Sequence, residues 1–280
     1  MLDALVQAPR AKPWGLNDYP STDAAAGVTI DPMMNLKLLA VLALGLLLQD
    51  RPADLVLHLT FDDQKTADGE ISGKVVGKVE FAEGKKGGAL KLGGEGHIEL
   101  PNSDALDKIQ NDSYSLAAWF KPENVPPGTE SDNHARYGIV IKAGWHTGLS
   151  YNNEKQFVME HWLSPAAGSE DPVWAGAGTW EDSNDAGKWY HVAGVVDRKA
   201  GTTKLYIDGE LKNTAEWEAN KASRDPGKQP WRVGIASPDA KNWSWPAKGL
   251  IDDVRIYKKA LSDAEVKGIY VAAAHKDAEK

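Results

Sequence analysis

From Asp54 to Tyr257 the chain is written in short runs of alternating apolar and polar residues, each closed off by Gly, Asp or Asn. LVLHLTF at 55–61 sets Leu55, Leu57, Leu59 and Phe61 on one side and Val56, His58 and Thr60 on the other, the period-2 pattern of a half-buried strand. Further strand-like runs stand at 74–81, 89–92, 97–100, 114–120, 138–143, 156–163, 188–197, 203–207, 210–214, 231–235 and 250–257. Asp208-Gly209 is a two-residue hairpin signal, and Asn152-Asn153 bends GWHTGLSYNNEKQFVMEHWL (144–163) into two strands. So many short strands can bury an apolar face only by stacking sheet on sheet. The expected fold is all-β, a sandwich or jelly roll. One segment reads as a short C-terminal helix: in SDAEVKGIYVAAA, Ser262 is followed three residues later by Glu265, a capping box ahead of an apolar run. The stretches 121–136, 164–187 and 216–230 read as loops, and loops of that length often carry function.

The chain has 280 residues, and all-β sandwiches of about 200–250 residues commonly form one domain. A net charge of −8 without a basic cluster argues against a nucleic-acid partner. The absence of cysteine removes disulfides, thiolate metal ligands and a cysteine nucleophile. Export is expected from MNLKLLAVLALGLLLQ at Met34, whose apolar run from Leu38 to Leu48 suits a signal peptide and falls short of the roughly 20 residues of a membrane span. Residues 1–33, which lack periodicity, read as a spurious or disordered extension, 34–53 as the signal peptide and 54–280 as the folded domain. The mature chain is therefore expected without a membrane span, in a secreted, periplasmic or cell-surface location.

KWYHVAGVVDRKAGTTKLYIDGELKNT (188–214) carries Trp189, His191-Val192, Asp197, Leu205-Tyr206 and Asp208-Gly209, and in this it resembles the laminin-G-like, concanavalin A-like lectin/glucanase jelly-roll family. GLIDDVRIYKKALSDAEV (249–266), LTFDD (59–63) with GKKGGALKLGG (84–94), and SYSLAAWFKP (113–122) are similar to the same family's closing, opening and central patterns. The resemblance implies an all-β, two-sheet antiparallel jelly-roll sandwich, concanavalin A-like, whose first and last strands are neighbours, with the short C-terminal helix appended. It says little of activity, since the scaffold carries lectins, adhesion modules, polysaccharide-binding modules and hydrolases.

Glucanases on this fold place acidic side chains alternately on one strand as E-x-D-x-x-E, and no such motif occurs here. Retaining hydrolysis needs two carboxyl groups roughly 5 Å apart, whereas Glu160 stands alone on its strand. No catalytic residue is assigned. His161 and Met159 read as structural, and His191 as a hydrogen-bonded core histidine. Asp252 has the parity of Val254 and Ile256 and so is expected to face the core, where a carboxylate must be paired or ligated. With Asp62 and Asp63 at the end of the neighbouring first strand it would make an oxygen-rich site for a structural calcium ion. The alternative is that Asp252 simply accepts backbone N–H bonds.

Of 11 tryptophans, Trp119, Trp189 and Trp231 read as core, and Trp145, Trp162, Trp174, Trp180, Trp217, Trp243 and Trp245 lie mostly in or beside loops. Loop tryptophans among polar neighbours can stack on sugar rings. The ligand-binding candidates are Trp145, His146, Tyr151, Trp243 and Trp245. The sequence thus reads as an exported, non-catalytic binding module for a polysaccharide or glycan. The alternatives are a protein-interaction or cell-surface assembly module and a divergent glycoside hydrolase.

Overall fold

The computed structural model describes residues 53–62, 73–128, 135–142, 147–225, 227–237 and 244–274. The readings of residues 1–33 and of the leader, apart from Ala53, fall outside them, as do Asp63, Trp145, His146 and Trp243. No helix among the described residues is long and apolar enough to cross a membrane.

The strands are β1 (Leu55–Leu59), β2 (Lys74–Glu83), β3 (Gly88–Leu100), β4 (Tyr114–Pro122), β5 (Arg136–Lys142), β6 (Thr147–Asn152), β7 (Phe157–Leu163), β8 (Val173–Trp174), β9 (Ala177–Gly178), β10 (Tyr190–Asp197), β11 (Thr202–Ile207), β12 (Glu210–Glu216), β13 (Trp231–Val233), β14 (Ser244–Trp245) and β15 (Lys248–Tyr257). A single helical turn, α1 (Asp104–Asp107), precedes β4, and α2 (Asp263–Ala274) closes the fold. Hydrogen bonding runs in the order β12-β11-β10-β4-β15-β3-β13-β5-β6-β7-β8. The first five of these form one layer and β13 to β8 the other.

β3 joins the two layers. The sequence reads it as two strands, ALKL and HIEL, but it is one strand of 13 residues. Leu90 to Gly93 pair with β15, and Ile98 to Leu100 pair with β13. Gly93, Gly94 and Gly96 stand where the strand passes from one layer to the other, and Gly94 takes a φ of 86°, which a side chain would resist.

Between the layers the alternation seen in sequence becomes a core. Leu116, Ala118, Phe120, Val192, Leu205, Ile251, Val254 and Ile256 pack toward Val140, Leu149, Tyr151, Phe157, Met159, Trp231 and Val233. Phe120 bridges the layers edge-on to Tyr151 and Phe157, with ring centroids 6.0 and 6.4 Å away. Each such Val, Leu, Ile, Phe or Met side chain contributes roughly 1.5–3 kcal/mol on leaving water. At the β11–β12 hairpin, Asp208 and Gly209 both take positive φ, 53° and 73°, as a two-residue turn between twisted strands requires.

β1 pairs antiparallel with β15, so the first and last strands are neighbours. The capping box also forms: Ser262 Oγ accepts from the Glu265 N–H at 3.3 Å, and the Glu265 carboxylate accepts from the Ser262 N–H at 2.9 Å. Helix α2 then lies on the outer face of the first layer, burying Val266 with Ala117, Ala193, Val195 and Tyr206.

Candidate functional site

Two regions outside the core hold unusual chemistry. The first lies where β1 meets β15. Asp252 pairs in register with Trp119 and Arg255 with Ala117, so three steps on β15 match two on β4. The extra residue is a β-bulge, with Asp253 at a φ of 50°. It corrects the parity argument: Asp252 does not share a face with Val254 but stands with Trp119 and Arg255 on the outer face of the layer. It is nonetheless fully buried, because the β2–β3 turn folds over it. A Cβ added at Gly84 would stand 2.7 Å from Asp252 Oδ2.

The two neighbouring carboxylates there are treated differently. Burial would raise Asp253, but the hydrogen bond from His58 and the Arg255 guanidinium outweigh it and hold the group well below the carboxylate range. Asp252 Oδ2 accepts the Lys86 N–H at 2.9 Å, while its buried Oδ1 has no hydrogen-bond partner. Burial pushes it up to about 7, against the Lys86 bond and with help from the Asp253 charge. Asp62 reaches the same turn, its Oδ1 accepting from the Gly88 N–H at 2.8 Å. Among the described residues no three His, Asp or Glu side chains converge as a ligand group. A hard cation here would therefore rest on Asp252, Asp62 and backbone carbonyls. The unpartnered Asp252 oxygen fits such a cation.

The same outer face holds His191, buried between Trp119 and Tyr270 with ring centroids 5.3 and 5.9 Å away. Its Nδ1 makes no hydrogen bond, which departs from the expected hydrogen-bonded role. Burial takes it down to about 4, so it is neutral at pH 7.

The second region runs along β7. β8 and β9 lie antiparallel to it in one unbroken register, Trp162 opposite Trp174, Leu163 opposite Val173, Met159 opposite Ala177 and Val158 opposite Gly178. Trp174, Gly176 and Gly178 therefore share a face with Trp162 and Glu160. The sequence here is VWAGAGTW (173–180), a Trp-x-Gly-x-Gly-x-Trp pattern. The glycines make room for the indoles: a Cβ at Gly176 would stand 2.6 Å from the Trp174 ring, and one at Gly178 would stand 2.4 Å from the Trp180 ring. Each indole thus lies against a glycine of the backbone. Trp174 is 40 % and Trp180 46 % exposed, and their centroids are 5.8 Å apart with planes inclined by 52°.

The pair is anchored from below. Trp174 Nε1 donates to Glu160 Oε2 at 3.1 Å, and Glu160 Oε1 is ion-paired with Arg136 and accepts from Ser150 Oγ at 3.2 Å. Beside Trp180 a shallow cleft is lined by Gly178, Thr179, Glu181, Asp182, Lys212 and Asn213. Asn213 Nδ2 donates to the Gly178 carbonyl at 2.8 Å, tying β12 to this edge.

Of the residues singled out in sequence, Tyr151 is a correction: it is fully buried in the core, its hydroxyl donating to the Asn184 carbonyl at 2.7 Å. Its position on β6 opposite Phe157 turns it inward. Trp245 packs against the core, half-buried. Trp189, read as core, is only half-buried. The signal that marks Trp174 and Trp180 in the sequence is the pair of glycines between them, since period-2 geometry places all four residues on one face.

The laminin G profile described as the concanavalin A-like lectin/glucanases superfamily matches residues 92–267. No curated protein matches the chain. Domain 4 of AbnA, a GH43 extracellular arabinanase from Geobacillus stearothermophilus, in complex with arabinotriose, is similar with a TM-score of 0.55 and 24 % identity, over 78 % of this chain and 98 % of that one. The binding domain of botulinum neurotoxin DC in complex with rat synaptotagmin II aligns with a TM-score of 0.55 and 15 % identity, over 79 % of this chain and 52 % of that one. The binding domain of Paraclostridial mosquitocidal protein 1 gives 0.54 and 16 %, over 78 % and 52 %. This chain spans about half of each toxin chain, and at these identities the likeness establishes the fold. The profile match extends from β3 through the bulged β15 into α2, and the chain belongs to the concanavalin A-like lectin/glucanases superfamily.

Proposed function

We propose that this chain is an exported, non-catalytic binding module that takes polysaccharide on the Trp174–Trp180 platform and is clasped by a structural calcium ion at Asp252 and Asp62. The carrying observation is the pair of half-exposed indoles, 5.8 Å apart, each with ring atoms set against a backbone glycine. Aromatic faces beside convergent polar groups suit sugars, whose C–H faces stack while their hydroxyls bond to the neighbours. Asp182, Lys212 and Asn213 line the adjoining cleft and supply such groups. The similar arabinanase domain was solved with arabinotriose, and this agrees with the reading. Glu160 is drawn into support of the platform, its oxygens occupied by Arg136, Ser150 and Trp174, which leaves it little freedom to act as an acid or nucleophile. For calcium, the support is the buried Asp252 oxygen without a partner.

A glycan array run with calcium and with a chelator tests both parts. The reading expects signal from the native chain that is lost in the Trp174→Ala, Trp180→Ala double variant. Absence of signal on every glycan would sink it, and a melting temperature indifferent to calcium would remove the ion.

A further inference from the structure

If the platform takes sugar, its shape also restricts which sugar chain fits. Resting on that carbohydrate reading, we infer that the ligand is an uncharged glycan chain whose successive rings turn against one another, bound with two neighbouring sugars on Trp174 and Trp180.

Three observations carry this. First, the indole centroids are 5.8 Å apart, close enough for adjacent sugars and too close for sugars two residues apart. Second, the indole planes are inclined by 52°. A flat ribbon of sugars presents its stacking faces in parallel planes, so it can lie on one of these rings but not on both. A chain that turns from one residue to the next can satisfy the two together. The inclination is built in: Trp174 is fixed by its bond to Glu160 and by Gly176 beneath it, and Trp180 by Gly178 beneath it. Neither ring can rotate far toward the other without leaving its glycine.

Third, the described residues of the cleft offer no free positive charge. Their cation is Lys212, whose Nζ lies 3.6 Å from the Asp182 carboxylate, and Glu181 adds a further negative charge among the lining residues. A uronate or sialylated chain would meet net repulsion here, whereas neutral hydroxyls can both donate to Asp182 and accept from Lys212 and Asn213.

The experiment is calorimetric titration, or pull-down for the insoluble case, of the full chain in calcium with four probes: linear arabinan, a soluble β-1,3-glucan, microcrystalline cellulose and polygalacturonate. The expected result is binding to at least one of the two turning neutral chains, with cellulose and polygalacturonate weaker by roughly tenfold or more. Trp174→Ala and Trp180→Ala should each weaken binding roughly tenfold, with melting temperatures near the native value as proof of folding. Equal or tighter binding to cellulose or to polygalacturonate would overturn the inference while leaving the carbohydrate reading in place. So would glycan binding that survives both substitutions. Binding to none of the four would take down this inference, and the glycan array decides separately whether the broader reading stands.

Discussion

The β1–β15 junction and the β7–β9 edge are both departures from a plain sandwich, and they depart in opposite senses. At the junction, polar groups are buried with too few partners: Asp252 keeps an unbonded oxygen inside the protein. At the edge, apolar groups are exposed with support to spare, each indole braced by a glycine and one of them by a buried ion pair. The first arrangement leaves a buried acceptor open, and the calcium proposal rests on it. The second holds a surface ready in its final geometry, so that a ligand meets little reorganisation cost. The contrast separates the region proposed to hold an ion from the region proposed to offer a face to a ligand.

The strongest way to break that contrast is at Glu160. Glu160→Ala removes the buried carboxylate that pairs with the Arg136 guanidinium and should cost about 3–5 kcal/mol in chemical denaturation, together with loss of glycan binding as Trp174 comes free. A change in stability near zero would mean that the ion pair does not brace the edge. At the junction, calcium near 100 times its dissociation constant should stabilise the native chain by about 2–3 kcal/mol, read as a rise in melting temperature. Asp252→Asn should abolish that rise; a variant that still responds would place the ion elsewhere.

The two regions should also answer pH with opposite sign. The Asp252 carboxyl is raised in the fold to about 7, so in calcium-free protein its contribution is present at low pH and is lost as pH rises through 7. His161, on the inner face of β7, is lowered by burial to about 4, so its contribution is present above pH 6.5 and is lost as pH falls through 4. Hydrogen exchange between pH 7.5 and pH 4.5 should show β7 loosening relative to β15 on acidification, and the reverse ordering would refute the assignment. The smallest effect is expected from Gly178→Ala. The added methyl must displace the Trp180 ring, at a stability cost of roughly 1 kcal/mol, and glycan affinity should drop more than stability does.

Much of this architecture is legible in the residues. The period-2 runs, the Asp208-Gly209 turn and the Ser262–Glu265 box each carry their own geometry, and the strands, hairpin and helix follow from them. The features that escape a sequence reading depend on single residues whose effect is not periodic. The bulge at Asp253 inserts one residue and so reverses the face of everything before it, which is why parity places Asp252 wrongly. The glycines in β3 look like a loop between two strands because a strand that changes layers needs the same residues as a turn. Tyr151 stands near a bend, where a ligand contact is expected, yet its pairing with Phe157 directs it to the core. Trp174 and Trp180 stand among the tryptophans outside the core patterns, but position in a loop does not distinguish them; only their spacing around Gly176 and Gly178 does.

The pairing of β1 with β15 has a mechanical meaning. Leu55 lies opposite Tyr257 and Leu59 opposite Val254, so the points where the backbone enters and leaves the sandwich sit at the same end of one antiparallel pair. Tension between those points would peel the pair open like a zipper, one hydrogen bond at a time, rather than shearing all of them together. Asp62 and Asp252 stand just past the far end of that zipper, on the turn at Lys86 and Gly88. The proposed ion would then act as the stop, and under such tension the β7–β9 edge proposed to take a ligand would stay intact for as long as that stop held.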